Sequence, residues 1–218
     1  MGGQRAYSED EVAAMAVELA RGRCGMRDRA AFLFGVMTGY RASEICSVRL
    51  GDVVAGDGSI VEAVTVWRRY VKRGKTRTVR ICDELRQVLR AYVRARERAG
   101  VIHKDEYLFA KRGGGPITRH TLYTAQKRAA KRLELKGRVG GTHSMRKTFG
   151  KGVHEFLKAR AAAGVPVDPL LDTKEAMGHS DVRSTEAYLQ ADAEQVVDAV
   201  MSLGRRFGAK LGNSENRE

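Results

Sequence analysis

The fold class follows from two stretches near the end of the chain, Thr-His-Ser-Met-Arg-Lys-Thr-Phe at 142–149 and Glu-Ala-Met-Gly-His-Ser-Asp-Val-Arg-Ser-Thr-Glu-Ala-Tyr at 175–188. They carry four residues with chemical function, which are His143, Arg146, His179 and Tyr188. The first two are three residues apart and therefore share one face of a helix. The other two follow on what we expect to be two short helical pieces. An arginine, two histidines and a tyrosine, without an acidic partner at these positions, are suited to holding a phosphate group.

The composition favours one globular domain with a polyanionic partner. Of the 218 residues 43% are hydrophobic, and 40 Lys and Arg against 26 Asp and Glu give a net charge of +14. A charge of this size favours nucleic acid as the partner over a merely basic soluble protein. The sequence shows no apolar run of membrane-spanning length and no signal peptide at its start. We therefore expect a cytoplasmic, nucleoid-associated protein with no membrane partner.

Metal and nucleotide cofactors are not expected. Cys24, Cys46 and Cys82 form no Cys-x-x-Cys pair, so they predict neither a disulfide framework nor a zinc site and are interpreted as reduced core residues. No cluster of carboxylates with metal-binding character accompanies the arginines and histidines. Gly-Lys-Thr at 74–76 lacks the upstream glycine of a phosphate-binding P-loop, since position 69 is Arg.

A turn between two helices is predicted at Thr-Gly-Tyr-Arg-Ala-Ser-Glu, residues 38–44. Gly39 can end the preceding helix, and Ser43 or a neighbour can begin the next one. Arg41 therefore falls between helices, where its side chain can point into a cleft. Taken alone, an arginine at a helix start is most often a solvated charge.

Residues 51–81 have the composition of strands. Residues 53–54, 60–71 and 76–81 are rich in Val, Thr, Trp and Tyr and predict a small antiparallel sheet of three strands. The second hairpin carries seven basic residues and no acid, namely Arg68, Arg69, Lys72, Arg73, Lys75, Arg77 and Arg80. Because unopposed charges repel each other in the bare protein, contact with DNA phosphates explains this hairpin better than a solvated face does.

The remainder of the chain is predicted to be helical, which makes the fold mainly α with a small sheet (α+β). The predicted helices cover residues 9–21, 27–38, 84–99, 118–135, 144–163, 168–178 and 191–210. Residues 1–7 and 211–218 are expected to be a flexible start and a flexible tail of a domain at 8–210. One predicted helix carries a basic face formed by Lys127, Arg128, Lys131 and Arg132. This face suits a DNA groove or backbone, and an ordinary exposed helix face is equally compatible with the sequence.

These motifs resemble the catalytic C-terminal domain of tyrosine recombinases, the phage-integrase type of site-specific recombinase. Thr-Gly-x-Arg-x-Ser-Glu around Arg41 resembles the family's first arginine motif, and His-x-x-Arg, Met-Gly-His and a following Tyr resemble the later ones. The likeness covers roughly residues 8–190 and implies the catalytic-domain fold of that family. Lys147 departs from the pattern, because a second His commonly stands there. The interval between Arg146 and His179 is also longer than is usual in the family.

The resemblance implies a role for each matching residue. The implied catalytic set is Arg41, Lys72, His143, Arg146, His179 and Tyr188, with Glu44 supporting the first arginine. Arginines suit the neutralisation of phosphate oxygens, histidines can donate hydrogen bonds or move protons, and a tyrosine can form a covalent phosphoester. Lys72 on the basic hairpin is the expected general acid, with Lys75 as the second choice.

The implied reaction is DNA strand exchange through a 3′-phosphotyrosyl intermediate, without metal or ATP. The implied partner is double-stranded DNA, bound as a homotetramer on paired sites by a protein that is monomeric without DNA. The residues expected to contact DNA are Arg68, Arg69, Arg73, Arg77, Lys127, Arg128, Lys131 and Arg132. The helix at 191–210 is expected to dock on a neighbouring protomer or, nearly as plausibly, on its own domain.

The sequence leaves open the domain content of the protein and the exact reaction. Family members usually carry an N-terminal helical domain that clamps DNA, and Arg41 comes too early in this sequence for such a domain, which we therefore expect to be absent. The sequence is compatible both with an excised catalytic domain and with a naturally minimal recombinase. A type IB topoisomerase shares the chemistry but relaxes DNA without a paired site. A DNA-binding regulator on the same fold would need no chemistry, although all of the catalytic positions named above are filled here.

Overall fold

The computed structural model of the chain describes residues 4–66, 77–100, 103–178 and 193–215, with only the backbone described at 193–196 and 211–215. The elements follow in the order α1 (Glu9–Ala20), α2 (Gly25–Thr38), α3 (Ala42–Ser47), β1 (Ala63–Val66), β2 (Arg77–Arg80), α4 (Asp83–Ala99), α5 (Arg119–Arg132), α6 (Thr142–Ala162), α7 (Pro169–Ala176) and α8 (Ala193–Glu215). The predicted class, mainly α with a small antiparallel sheet, is confirmed.

Side-chain caps fix the starts of several helices where the sequence predicts them. At α1 the Ser8 hydroxyl accepts a hydrogen bond from the Glu11 N–H at 3.2 Å, and the Glu11 carboxylate accepts one from the Ser8 N–H at 2.9 Å. Thr118 caps α5 and Asp168 caps α7, the latter with Pro169 as the first helical residue. These bonds satisfy N–H groups that the first turn of a helix otherwise leaves unpaired. Helix α4 differs slightly, because Asp83 is its first residue rather than its cap.

Helix α2 is the centre of the core. Every residue from Ala30 to Thr38 is buried, and the helix contacts α1, α3, α4, α5, α6 and α8. A helix that is apolar almost all round is stable only when other elements cover it on every side. The aromatic rings of Phe34 and Phe109 meet edge to face at 5.7 Å in this core.

The predicted sheet of three strands is wrong in its first strand. Within the described residues the sheet has two strands, β1 and β2, which pair antiparallel with Ala63 opposite Arg80 and Val66 opposite Arg77. The chain before them forms a 3-10 turn at Leu50–Asp52, in which the Asp52 carboxylate accepts a hydrogen bond from the Arg49 N–H at 2.7 Å. Because this turn uses the residues that would extend the strand, Val54 makes only an isolated bridge to Ile60.

Both ends of the described chain take part in packing or regular structure. Residues 4–7, expected to be part of a flexible start, are packed, and Tyr7 is buried. The backbone of α8 stays helical through Glu215, beyond the predicted end at Lys210. The buried side chains Ala199, Val200, Leu203 and Phe207 lie on α8, and this helix contacts α1, α4, α6 and β2 of its own domain. The described apolar residues of this helix are therefore covered within the chain, and docking on a neighbour stays a prediction.

Candidate active site

The turn between α2 and α3 presents Arg41 as the sequence predicts. Gly39 adopts φ 64° at the end of α2, and a Cβ there would lie 2.3 Å from the Phe149 ring, so both the conformation and the close approach require glycine. Arg41 is the residue just before α3, and its backbone N–H donates to the Glu44 carboxylate at 2.6 Å. Its guanidinium also donates to Glu44 at 3.2 Å while the side chain stays 39% exposed. Glu44 therefore orients Arg41 and leaves it accessible.

Tyr40 anchors this turn to the sheet and is a residue that the sequence analysis did not single out. It is fully buried, and its hydroxyl lies 2.8 Å from the Val64 carbonyl and 2.7 Å from the Arg77 carbonyl. Its ring stacks on Phe34 at 5.8 Å. A buried hydroxyl needs polar partners, and these two contacts join the turn that carries Arg41 to both strands. The only sequence signal was its place inside the Thr-Gly-x-Arg motif.

Helix α6 carries His143 and Arg146 in two different environments. His143, in the first turn, is exposed. Arg146 is buried, and its guanidinium donates to the Gly39 carbonyl at 2.5 Å and to the Met177 carbonyl. The two residues share the face that the spacing predicts, with the histidine at the surface and the arginine beneath it.

The hydrogen bonds of Arg146 bring three separate sequence motifs to one place. Gly39 stands two residues before Arg41, and Met177 stands two residues before His179. One guanidinium thus ties the α2–α3 turn and the end of α7 to the start of α6. The junction of the three motifs therefore contains a charged planar guanidinium, the kind of group that binds phosphate in proteins.

Arg77 does not lie on the basic surface where we predicted it. Its side chain is buried, its guanidinium donates to the Thr38 carbonyl at 2.6 Å, and it stacks over the rings of Tyr40 at 5.0 Å and Phe149 at 5.6 Å. Alternate residues of a strand point to opposite faces, and Arg77 falls on the inward face of β2. Arg77 is therefore buried beside Tyr40 and Phe149, and its contact with DNA stays a prediction.

The predicted basic face of α5 is only partly free for a partner. Lys127, Arg128 and Lys131 are exposed, although the Lys127 ammonium donates to the Val139 carbonyl at 3.2 Å. Arg132 is also exposed, with 66% of its side chain accessible, and forms an ion pair at 2.9 Å with Glu18, whose side chain is 8% exposed. A carboxylate with so little exposure needs a cation beside it, so Arg132 neutralises Glu18 of α1 in addition to contributing charge to the surface.

Seven predicted site residues lie outside the part of the chain that the structure describes. They are Arg68, Arg69, Lys72, Arg73, Lys75, His179 and Tyr188. Their roles stay predictions.

The described residues contain no group of three or more His, Cys, Asp or Glu side chains that could hold a metal ion. No described helix has the length and apolar character needed to cross a membrane.

Burial raises the pKa of the Cys46 thiol to about 11 and that of the Cys82 thiol to about 12. Both thiols are therefore protonated at neutral pH and are poor nucleophiles.

Comparison with known proteins identifies one family. Residues 5–195 match the Phage integrase family. The chain is 28% identical over 186 residues to tyrosine recombinase XerC of Bacillus subtilis, covering 82% of this chain and 54% of XerC. It is 27% identical over 179 residues to the probable integrase/recombinase YoeC of the same organism, covering 82% of this chain and 85% of YoeC.

Solved structures show the same fold. The integrase from mycobacterium phage Brujita superimposes with a TM-score of 0.61 at 20% identity, covering 97% of this chain and 64% of that one. The XerH site-specific recombinase bound to its difH substrate gives a TM-score of 0.59 at 18% identity, covering 93% of this chain and 49% of XerH. The chain thus spans about half the length of XerC and XerH.

Proposed function

Because the chain belongs to the phage integrase family, we propose that it is the catalytic domain of a site-specific DNA recombinase that breaks and rejoins strands through a 3′-phosphotyrosyl intermediate. The observation that carries the proposal is the pair of hydrogen bonds from Arg146 to the carbonyls of Gly39 and Met177. They gather the Arg41 turn, the His-x-x-Arg helix and the chain leading to His179 around one point, as a phosphate-binding site requires.

The reaction needs a nucleophile, charge neutralisation and a proton donor. The Tyr188 phenol passes its proton to a histidine of the site, His143 or His179, as its oxygen attacks the scissile phosphorus and forms a phosphotyrosyl bond while the bond to the 5′ oxygen breaks. Lys72 gives that leaving oxygen a proton, so the products are a 3′-phosphotyrosine and a free 5′-hydroxyl. A 5′-hydroxyl from another strand then attacks the phosphotyrosine and gives its proton to Lys72, while the leaving phenolate takes its proton back from the histidine. This restores the tyrosine and completes strand exchange.

Arg41 and Arg146 bind the non-bridging phosphate oxygens, where negative charge grows in the transition state. His143 and His179 donate hydrogen bonds to the same group or manage protons near neutral pH. Since the arginines provide the positive charge and the phosphotyrosine conserves the bond energy, the reaction proceeds without metal or ATP.

The partner is duplex DNA, and the active assembly is a homotetramer on two paired sites formed from monomers. The net charge of +14 supports a phosphate-rich partner. The contact surface is formed by Lys127, Arg128 and Lys131 of α5, which are exposed, together with Arg68, Arg69 and Arg73 of the predicted basic hairpin. A recombinase of chromosomal or mobile DNA works in the cytoplasm at the nucleoid.

The nucleophile is tested by trapping the intermediate on nicked DNA that carries candidate sites. We expect wild-type protein to form an adduct that survives denaturant in excess chelator, and Tyr188→Phe to bind DNA equally well and form none. Tyr123→Phe, which alters an exposed tyrosine of α5, is the matched control and should form the adduct normally. An adduct with Tyr188→Phe would contradict the assignment. Relaxation of a plasmid without paired sites would indicate a topoisomerase instead.

The general acid is tested in the same assay with a substrate whose 5′-bridging oxygen is replaced by sulfur. Lys72→Ala should slow cleavage of normal DNA on the order of a hundredfold or more, because an alkoxide leaves badly without a proton. A thiolate needs no acid, so the sulfur substrate should restore the rate of Lys72→Ala and leave Arg41→Ala and Arg146→Ala slow. If Lys72→Ala cleaves normally and sulfur rescues Lys75→Ala, the role belongs to Lys75.

A further inference from the structure

The first described residues form a packed segment, here named the N-terminal strap (residues 4–7). The Arg5 backbone N–H donates to the Arg138 carbonyl at 2.9 Å. Its guanidinium donates to the Lys136 carbonyl at 2.6 and 3.0 Å and to both oxygens of Glu11 at 2.6 Å. Bidentate bonds from arginine to carboxylate are among the stronger polar contacts in proteins. One side chain thus joins the first turn of α1 to the loop at 136–138.

That loop leads directly into α6, whose start also touches the strap. Gly141 is the residue that precedes α6, and a Cβ there would lie 2.1 Å from the Gln4 side-chain nitrogen. The Gln4 amide therefore occupies the space over the N-terminus of the helix. His143 stands two residues further along.

The other end of the strap holds the second turn of α6. The Tyr7 backbone N–H donates to the Thr148 hydroxyl at 2.9 Å, and that hydroxyl donates to the Ser144 carbonyl at 2.8 Å. Tyr7 is buried, and its ring meets Phe32 of the central helix edge to face at 5.4 Å. Burial also raises the pKa of the Tyr7 phenol, which keeps the group neutral.

We infer that the N-terminal strap is a positioning element that fixes the first two turns of α6, and with them His143 and Arg146. Its contacts at Gly141 and Thr148 lie on either side of these two residues, and Arg5 is the residue that anchors it. The assignment of a catalytic consequence rests on the proposed function. The hydrogen bonds from Arg146 to two other motifs require α6 to keep its position along its axis, so a small displacement would disturb the whole phosphate site.

The substitution that tests the strap is Arg5→Ala, with Arg21→Ala as the matched control. Arg21 also pairs with a glutamate of α1, Glu18, at 3.5 Å, but lies at the other end of that helix and is 57% exposed. Arg5→Lys keeps the charge beside Glu11 and loses the planar fork that also reaches Lys136. Thr148→Val keeps the shape of the side chain and removes the hydroxyl that receives the Tyr7 N–H.

Two readouts are compared. The first is hydrogen exchange of the free protein at residues 145–149 of α6, with α4 as the internal reference. The second is the single-turnover rate of adduct formation at saturating DNA, beside the DNA dissociation constant. Arg5→Ala and Thr148→Val should raise exchange in α6 alone and slow cleavage on the order of tenfold or more, with DNA affinity within about twofold of wild type. Arg5→Lys should give exchange and cleavage rates between those of wild type and Arg5→Ala, and Arg21→Ala should match wild type in both.

Unchanged exchange in α6, an equal rise in α4, or a local rise with a wild-type cleavage rate would each overturn the inference. If the wild-type protein forms no adduct, the proposed function fails, whereas exchange still decides whether the strap holds the start of α6. The two failures are therefore distinguishable.

Discussion

Two arginines of strand β2 look alike in the sequence and have different physical roles. Arg77 points inward, where it stacks on Tyr40 and Phe149 and donates to the Thr38 carbonyl. Arg80 points outward and forms an exposed ion pair with Glu62 at 3.1 Å. Guanidinium is weakly hydrated and planar, so it can be buried against aromatic rings when a carbonyl accepts its hydrogen bonds. Exposed ion pairs contribute little to stability.

Arg77→Ala should lower the free energy of unfolding by about 2–3 kcal/mol, because a charge-assisted hydrogen bond and two ring contacts are lost. Arg80→Ala should change it by no more than about 0.5 kcal/mol. Urea unfolding of both variants checks the difference. Equal and small effects would mean that Arg77 is a surface residue after all.

At the scale of single elements, helix α8 shows how an amphipathic face is satisfied. Leu203 is buried, and a Cβ added at the facing Gly152 of α6 would lie 2.3 Å from it. Arg206 of α8 pairs with Glu9 of α1, and Lys210 pairs with Asp10 at 2.9 Å. The sequence shows that this helix has an apolar face and does not show which surface covers it. In the described chain, its own domain covers it.

Leu203→Ala should therefore lower the free energy of unfolding by about 2–4 kcal/mol, through lost burial and the cavity left behind. Arg205→Ala, at an exposed position of the same helix, should have almost no effect. The measurement is urea unfolding at two widely different protein concentrations. A loss that depends on concentration would indicate that α8 docks on a neighbouring protomer.

For the whole molecule, charge is the property that dominates interaction with a partner. A net charge of +14 attracts a polyanion over a distance set by the ionic strength. Among the described cations, Arg77 is buried, and Arg132 is exposed but already paired with Glu18. DNA affinity should therefore depend on fewer residues than the sequence count indicates.

DNA binding should weaken steeply as salt rises, because each phosphate contact releases a bound counterion. Arg128→Ala on α5 should weaken binding to all sequences alike and reduce the slope of log affinity against log salt by about 1. Lys158→Ala removes an exposed cation from α6 and should leave the slope unchanged. Fluorescence anisotropy over a range of salt concentrations measures both. A slope unaffected by Arg128→Ala would remove α5 from the contact surface.

Local patterns predicted much of this protein correctly. Helix starts at Ser8 and Thr118, the helix end at Gly39 and the position of Arg41 in a turn all depend on residues within a few positions of each other. Caps and left-handed glycines act through the adjacent backbone, so their effect can be read without knowledge of the fold. The spacing of His143 and Arg146 likewise predicted a shared helix face.

Contacts between distant parts of the chain were not predictable in this way. Arg132 pairs with Glu18 across 114 residues, and Arg5 holds the loop at Lys136 across 131 residues. A basic residue looks the same in the sequence whether it is free for DNA or already satisfied by an internal carboxylate or carbonyl. The difference between the two is set by which surfaces the packing of α1, α5 and α6 brings together, because long-range contacts depend on three-dimensional distance and not on sequence period.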